Sequence, residues 1–224
     1  MVILKFLLIG TVAMSIPILL LCKPYKIAWW KGIILTILLT IVGALGTYLM
    51  FYIENGYTGG ISFYGAVFLV PVGFSIIALI LRIPYGRIMD LCAVGECIML
   101  ALMKVNCMLG GCCGGRILFL TAAGNEIRFP SRLLELIVAL FIFAILLRWA
   151  WKQQRTGELY AWYLCIYGAT RFVLNIFREE WVTRQMLLPY GNIWSLVAVA
   201  IGVLWLCGLR GVIKRIVKGR DDRC

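Results

Sequence analysis

A bundle of about seven membrane-spanning helices, amino terminus outside and carboxyl terminus inside, is the all-α fold class this sequence predicts. Three observations predict it. Apolar residues make up 63% of the 224 positions, well above the usage of about 45–50% in soluble domains. Mean hydropathy is +0.97. The apolar residues also gather into seven runs, near 2–22, 30–53, 60–82, 88–109, 131–150, 158–177 and 189–209. Each is close to the roughly 20 residues a helix needs to cross hydrocarbon. Lipid accepts only helices or closed barrels, because backbone polar groups must be satisfied internally. The runs are too long and too continuously apolar for barrel strands. They leave no room for a soluble domain, so residues 1–224 are expected to form a single polytopic membrane domain.

Taken in order, the first run carries Lys5 and is longer than the apolar stretch of a cleavable leader. Lys23 and Lys26 follow it and oppose export of what comes next, which favours an uncleaved helix. The second run opens at Trp29 and Trp30 and closes near Tyr52 and Tyr57, an aromatic belt at the lipid–water boundary. The third begins in "GGISFYGA", which places Tyr64 near its outer end. The fourth runs outward into "KVNCMLGGCCGGR", where Lys104, three cysteines and four glycines crowd together. The fifth opens with "RFPSRLLE" and brings Pro130, Arg132 and Glu135 to the outer leaflet. The sixth ends in "YGATRFVLNIFREE", whose Tyr167, Arg171, Asn175 and Arg178 fall on one helix face. The seventh returns inward to a basic tail. The longer connections are both outer ones, Gly114–Ser131 and Arg178–Asn192.

Charge fixes the orientation. Of the 22 basic residues, 14 fall in the connections and tail assigned inside and five in those assigned outside, as the positive-inside rule requires. The net charge of +12 is thus accounted for by anionic headgroups, and no nucleic-acid partner is implied.

Four spans bring polar groups to the same outer leaflet, where intramembrane charge is costly and points to function. Snorkelling, or pairing of Lys104 and Arg171 with Glu96 and Glu135 for structure alone, is the plainer account of each cation taken singly. Their convergence with a glycine-rich break favours a site. "GGCCGG" does not continue a helix cheaply, and irregular backbone at membrane depth survives only inside protein or along a polar cavity. Free amides there, with Lys104 and Arg171, suit an anion. In an outer leaflet that anion is a phospholipid phosphate.

The chain has nine cysteines and no histidine. Cys22, Cys92, Cys97, Cys165 and Cys207 lie in apolar runs and behave as small hydrophobes. Cys107, Cys112 and Cys113 cluster at the outer edge, where packing against glycine or oxidation are both open to them. Without histidine the usual general base is missing, and no metal site or cofactor is expected.

These motifs, from about Gly59 to Asn192, resemble the prolipoprotein diacylglyceryl transferase family. "GGISFYGA" is similar to that family's G-G-x-S-F-H-G-G. "MDLCAVGECIMLALMKVNCMLGGCCGG" resembles D-x-x-A-P followed by a branch form R-x-G-C-F-x-x-G-C-C-Y-G. That resemblance puts Lys104, Cys107, Gly111, Cys112, Cys113 and Gly115 on motif positions. "RFPSRLLE" is similar to H-P-S-Q-L-Y-E, and "YGATRFVLNIFRE" to Y-G-x-x-R-F-x-x-E-x-x-R. Tyr64, Lys104, Cys107 and Asn175 stand where the family has histidine, arginine, asparagine and glutamate. Phe129 and Arg132 replace a further histidine and glutamine.

The resemblance implies a reaction in a bacterial cytoplasmic membrane. A cysteine thiolate of a prolipoprotein attacks a glycerol carbon of phosphatidylglycerol and expels glycerol phosphate. Arg171, Tyr64 and Tyr167 are then the catalytic candidates. Lys104, Cys107, Gly111, Gly115, Arg132 and Arg178 are the substrate-binding ones. Arg171 is the expected phosphate partner because its planar fork meets two oxygens. Neighbouring cations favour thiolate and could replace the missing base. The second reading is a diverged, non-catalytic lipid-binding membrane protein on the same fold.

Overall fold

The computed structural model describes residues 2–57, 59–111, 114–120, 125–152, 156–178 and 190–221, with side chains from 7 to 208. Seven helices are present among them: α1 Val2–Cys22, α2 Trp29–Asn55, α3 Tyr64–Leu81, α4 Tyr85–Leu109, α5 Ser131–Lys152, α6 Glu158–Ile176 and α7 Tyr190–Asp221. One feature was not expected from the sequence. The connection from α4 to α5 folds into a hairpin, with β1 Ile117–Leu120 antiparallel to β2 Glu126–Arg128. "ILFL" shows no polar alternation to mark a strand, and its four side chains are all exposed.

Helix α4 is the axle of the bundle, packed by α1, α3, α5 and α6, while α7 lies along α6. It carries Asp90, Glu96 and Lys104, all buried. The helices α2, α3, α5 and α7 each hold an apolar window long enough to cross a membrane. They turn residues such as Leu45, Leu79, Phe141 and Leu204 outward, as a lipid-facing surface demands. Polar helices sit inside and apolar ones outside, because hydrocarbon offers no partner to a buried charge.

Small residues allow the tightest crossing. A side chain on Gly65 would run into the Gly46 carbonyl, so α2 and α3 touch through backbone, as small residues permit between membrane helices. Pro71 lies inside α3 and, lacking an N–H, cannot bond the carbonyl four residues earlier. That carbonyl is Val67's, and the Tyr160 hydroxyl of α6 donates to it at 2.8 Å.

At the end of the bundle away from the hairpin, Asp90 holds α6 in place. Its carboxylate accepts the backbone N–H groups of Gly157 (2.9 Å) and Leu159 (3.1 Å). These are unpaired donors of a helix start, here capped from another helix. The Tyr25 hydroxyl adds a third bond at 3.3 Å. Burial and the neighbouring Asp90 charge push the Tyr25 phenol well above its usual range.

Candidate functional site

The opposite end gathers most of the polar residues expected from the sequence. Helix α4 delivers Lys104 near its last turn, α5 delivers Glu135 in its second turn, and α6 delivers Arg171. Lys104 Nζ and Arg171 Nη1 both pair with one oxygen of Glu135, Oε2. Glu135 is only 5% exposed. Three helices therefore meet on a single carboxylate, and the cluster keeps one net positive charge. Arg178 adds to the field on the same carboxylate. The Arg171 Nε is buried without a hydrogen-bond partner among the described residues, although its Nη1 is engaged. A guanidinium so placed has a donor left for an incoming oxygen.

The pairing is narrower than the sequence allowed. Glu96 takes neither cation, being held instead near Tyr160. Glu135 is the hub; the sequence offered it beside Glu96 as an ion-pair partner and did not place it among the site residues. Its place in the second turn of α5, level with Lys104 on an antiparallel neighbour, was the available signal.

The aromatic candidates form one wall. Tyr167 stacks on Tyr163 at 5.6 Å between ring centroids and lies 5.8 Å from both Phe63 and Tyr64. The Tyr64 hydroxyl donates to the Gly191 carbonyl of α7 at 2.9 Å and touches Ser195 Oγ at 2.5 Å. Arg171 and Asn175 flank it. Asn175 is buried, and its Nδ2 has no partner among the described residues. Tyr64 thus joins α3 to α7 beside the cation cluster.

The glycine-rich break holds its shape through specific contacts. Helix α4 ends as the Gly110 N–H bonds Asn106 O at 2.8 Å. Gly111 follows at φ 68°, a conformation that glycine adopts without steric cost. Arg132 donates from Nη2 to the Gly111 carbonyl at 2.7 Å, so this arginine braces the break. Gly115 is wedged against the Phe129 carbonyl, where any side chain would collide, and forms a bridge with Arg178. The Arg116 N–H bonds Phe177 O at 3.0 Å, and the Arg116 guanidinium lies over the Phe177 ring. Phe129 stacks on the same ring at 4.6 Å.

Among the substrate-binding candidates, Lys104 and Arg178 share the Glu135 cluster, whereas Gly111, Gly115 and Arg132 belong to the supporting backbone. Cys107 is half-buried and forms no disulfide among the described residues. Cys112, Cys113, Trp181 and Arg184 lie outside the described residues.

The fold is that of an all-α membrane protein, a helical bundle with a cationic cluster gathered around one buried carboxylate at one end. A family model described as prolipoprotein diacylglyceryl transferase matches residues 7–207, and the chain belongs to that family of transferases. A relative from Dehalococcoides mccartyi, named phosphatidylglycerol–prolipoprotein diacylglyceryl transferase, is 27% identical over 131 residues. That match covers 53% of this chain and 50% of the relative, so the chain spans about half the length of the relative it matches.

Proposed function

We propose that this protein transfers a diacylglyceryl group from phosphatidylglycerol to the lipobox cysteine of a prolipoprotein. Its setting would be a bacterial cytoplasmic membrane, with the hairpin end outward and the amino terminus outside. The observation that carries the reading is the convergence of Lys104 and Arg171 on Glu135, with Arg171 Nε still free for an acceptor.

In this reading Glu135 holds the two cations together while no lipid is bound. It keeps their mutual repulsion from driving them apart in a poorly solvated site. An arriving phosphodiester takes the free Nε and draws Arg171 toward itself. Thiolate sulfur attacks the glycerol carbon, the S–C bond forms, and the C–O bond to phosphate breaks. Glycerol phosphate departs with the electron pair, and its growing charge meets Arg171 and Lys104. Preorganised charge aimed at the leaving group is the main stabilising device available here. Arg178 strengthens the same positive field, which also favours the thiolate form of the acceptor. Tyr64 and Tyr167 shape the wall along which the headgroup lies.

A second reading has its own observation. The chain contains no histidine, and Asn175 stands where the family pattern has glutamate. A lipid-binding protein that kept the fold without turnover would look the same at Lys104, Glu135 and Arg171.

The deciding experiment is transfer of labelled diacylglycerol from phosphatidylglycerol to a lipobox peptide by the purified protein in detergent. Turnover by wild type that needs Arg171 supports the transferase. Lipid binding without turnover, even in a Tyr64→His/Asn175→Glu double variant, assigns the second reading. For orientation, Cys224 should resist a membrane-impermeant thiol reagent applied to intact cells; ready labelling would reverse it.

A further inference from the structure

The hairpin between α4 and α5 has no part in the transfer scheme, and its side chains are unlike those of a strand pair in water. All four residues of β1, Ile117, Leu118, Phe119 and Leu120, are apolar and exposed. A sheet with one face in water alternates apolar and polar residues along each strand. An uncharged, exposed apolar edge strand of this kind invites aggregation unless something covers it.

The register shows how polarity is divided between the two faces. Residues directly paired in an antiparallel ladder project from the same face. Phe119 pairs with Ile127, so one face is apolar on both strands. Ile117 pairs with Arg128 and Leu120 with Glu126. On that second face Arg128 Nη2 meets Glu126 Oε2 at 2.7 Å. The hairpin is thus amphipathic, with a neutralised charge pair on one side and Phe119 and Ile127 on the other.

Its level in the bilayer is set by the helices that carry it. Helix α5 starts at Ser131, directly after the end of β2 at Arg128 and the two residues that follow. Its 22 residues reach about 33 Å. The hydrocarbon core is about 30 Å thick, so Ser131 lies where acyl chains meet headgroups. Exposed apolar side chains continue from the hairpin onto the helices, through Leu109 at the end of α4 (75% exposed) and Leu133 at the start of α5 (45%). The hairpin base is tied to the end of α6 by the Gly115–Arg178 bridge and by Phe129 stacked on Phe177.

We propose that the hairpin is an interfacial anchor: its Phe119–Ile127 face enters the leaflet at the cation-cluster end, and Glu126 and Arg128 face headgroups and water. The occupant of the apolar face is lipid, because that face is continuous with the helix surfaces that lipid covers. The neutralised pair asks for no particular headgroup charge. Through Phe177 and Arg178 the anchor fixes the height of the Lys104–Arg171 cluster against the headgroups. It stands whether or not the protein turns over a lipid.

The test places a nitroxide, carried on a genetically encoded click-reactive residue, in place of Phe119 or, separately, of Glu126. The full chain is reconstituted in phosphatidylcholine vesicles. Power saturation then compares oxygen, which concentrates in lipid, with a nickel chelate, which stays in water. The Phe119 label should favour oxygen and read a depth of about 5–10 Å into the headgroup–acyl boundary. The Glu126 label should favour nickel. Added phosphatidylglycerol should change neither. Ile127→Glu should bring the Phe119 label into contact with nickel and leave the thermal midpoint in place, since Ile127 is exposed.

Nickel reaching the Phe119 label as readily as the Glu126 label would put the hairpin in water and overturn the proposal. Exclusion of both reagents from the Phe119 label would also overturn it, because protein, a second copy or another chain, would then cover the face. A Phe119 label that keeps its depth in Ile127→Glu would assign the placement to the hairpin base alone and refute the anchor.

Discussion

Asp90 and Glu135 are both buried carboxylates at helix ends, at opposite ends of the same bundle, and they are held by opposite kinds of partner. Asp90 takes two backbone N–H groups and a phenol. Those donors are fixed by the helix that carries them. Glu135 takes the tips of a lysine and an arginine, long side chains that can turn elsewhere without moving a helix. Partners built into the backbone make a staple. Partners on flexible stems make a site whose contacts can be exchanged for a ligand's.

The largest effect should follow from breaking the staple. Asp90→Ala strands the amides of Gly157 and Leu159, and each buried, unpaired donor costs about 1–3 kcal/mol. A loss of about 2–6 kcal/mol is expected, read as a fall in the thermal or denaturant midpoint in detergent. A midpoint unchanged from wild type would mean that water replaces the carboxylate and that the staple is unnecessary.

Arg171→Ala should behave in the contrary way. Transfer should slow about tenfold to hundredfold, the worth of a charge-assisted contact made mainly in the transition state. Its midpoint should move far less than that of Asp90→Ala, because Lys104 still neutralises Glu135. If Arg171→Ala unfolds the protein as Asp90→Ala does, the two ends are alike and the comparison fails.

Glu135→Gln sharpens it further. Removing the carboxylate releases both cations, so inhibition by inorganic phosphate should tighten by about tenfold, a charge effect of about 1.4 kcal/mol. Unaltered inhibition would show that Lys104 and Arg171 do not face an anion site.

The smallest effect is at Tyr25. Its phenol is held neutral more firmly in the folded protein than in the unfolded chain. The folded state therefore binds the proton more tightly, and stability falls as pH rises above about 10, the ordinary tyrosine value. Tyr25→Phe should flatten that alkaline decline. An identical decline in the variant would assign it to other groups.

The sequence made the seven helices legible because each is an apolar run of membrane length. It also marked Lys104 and Arg171, since charge inside such a run is conspicuous. What it could not rank was the choice of carboxylate: Glu96 and Glu135 were both available, and only the helix packing sends both cations to Glu135. The hairpin stayed hidden because Ile117–Leu120 is a short exposed strand whose pairing depends on Ile127 and Arg128 further along the chain. Arg132 was placed with the substrate contacts, yet its observed bond is to the Gly111 carbonyl. A side chain's reach along an irregular backbone leaves no periodic trace in sequence.

The central place of a polar α4 has a consequence for biosynthesis. The helix leaves the ribosome after its apolar neighbours α1 and α3 but before the helices that complete its polar contacts. Glu135 follows on α5, while Arg171 and the amides that satisfy Asp90 arrive only with α6. The hairpin base likewise waits for Phe177, whose carbonyl takes the Arg116 N–H. Until α5 is made Lys104 lacks Glu135, and until α6 is made Asp90 has only the Tyr25 phenol and lacks the two amides that cap α6. Both ends of α4 are thus completed by one later helix, which makes the arrival of α6 the step that commits the nascent bundle to its final arrangement.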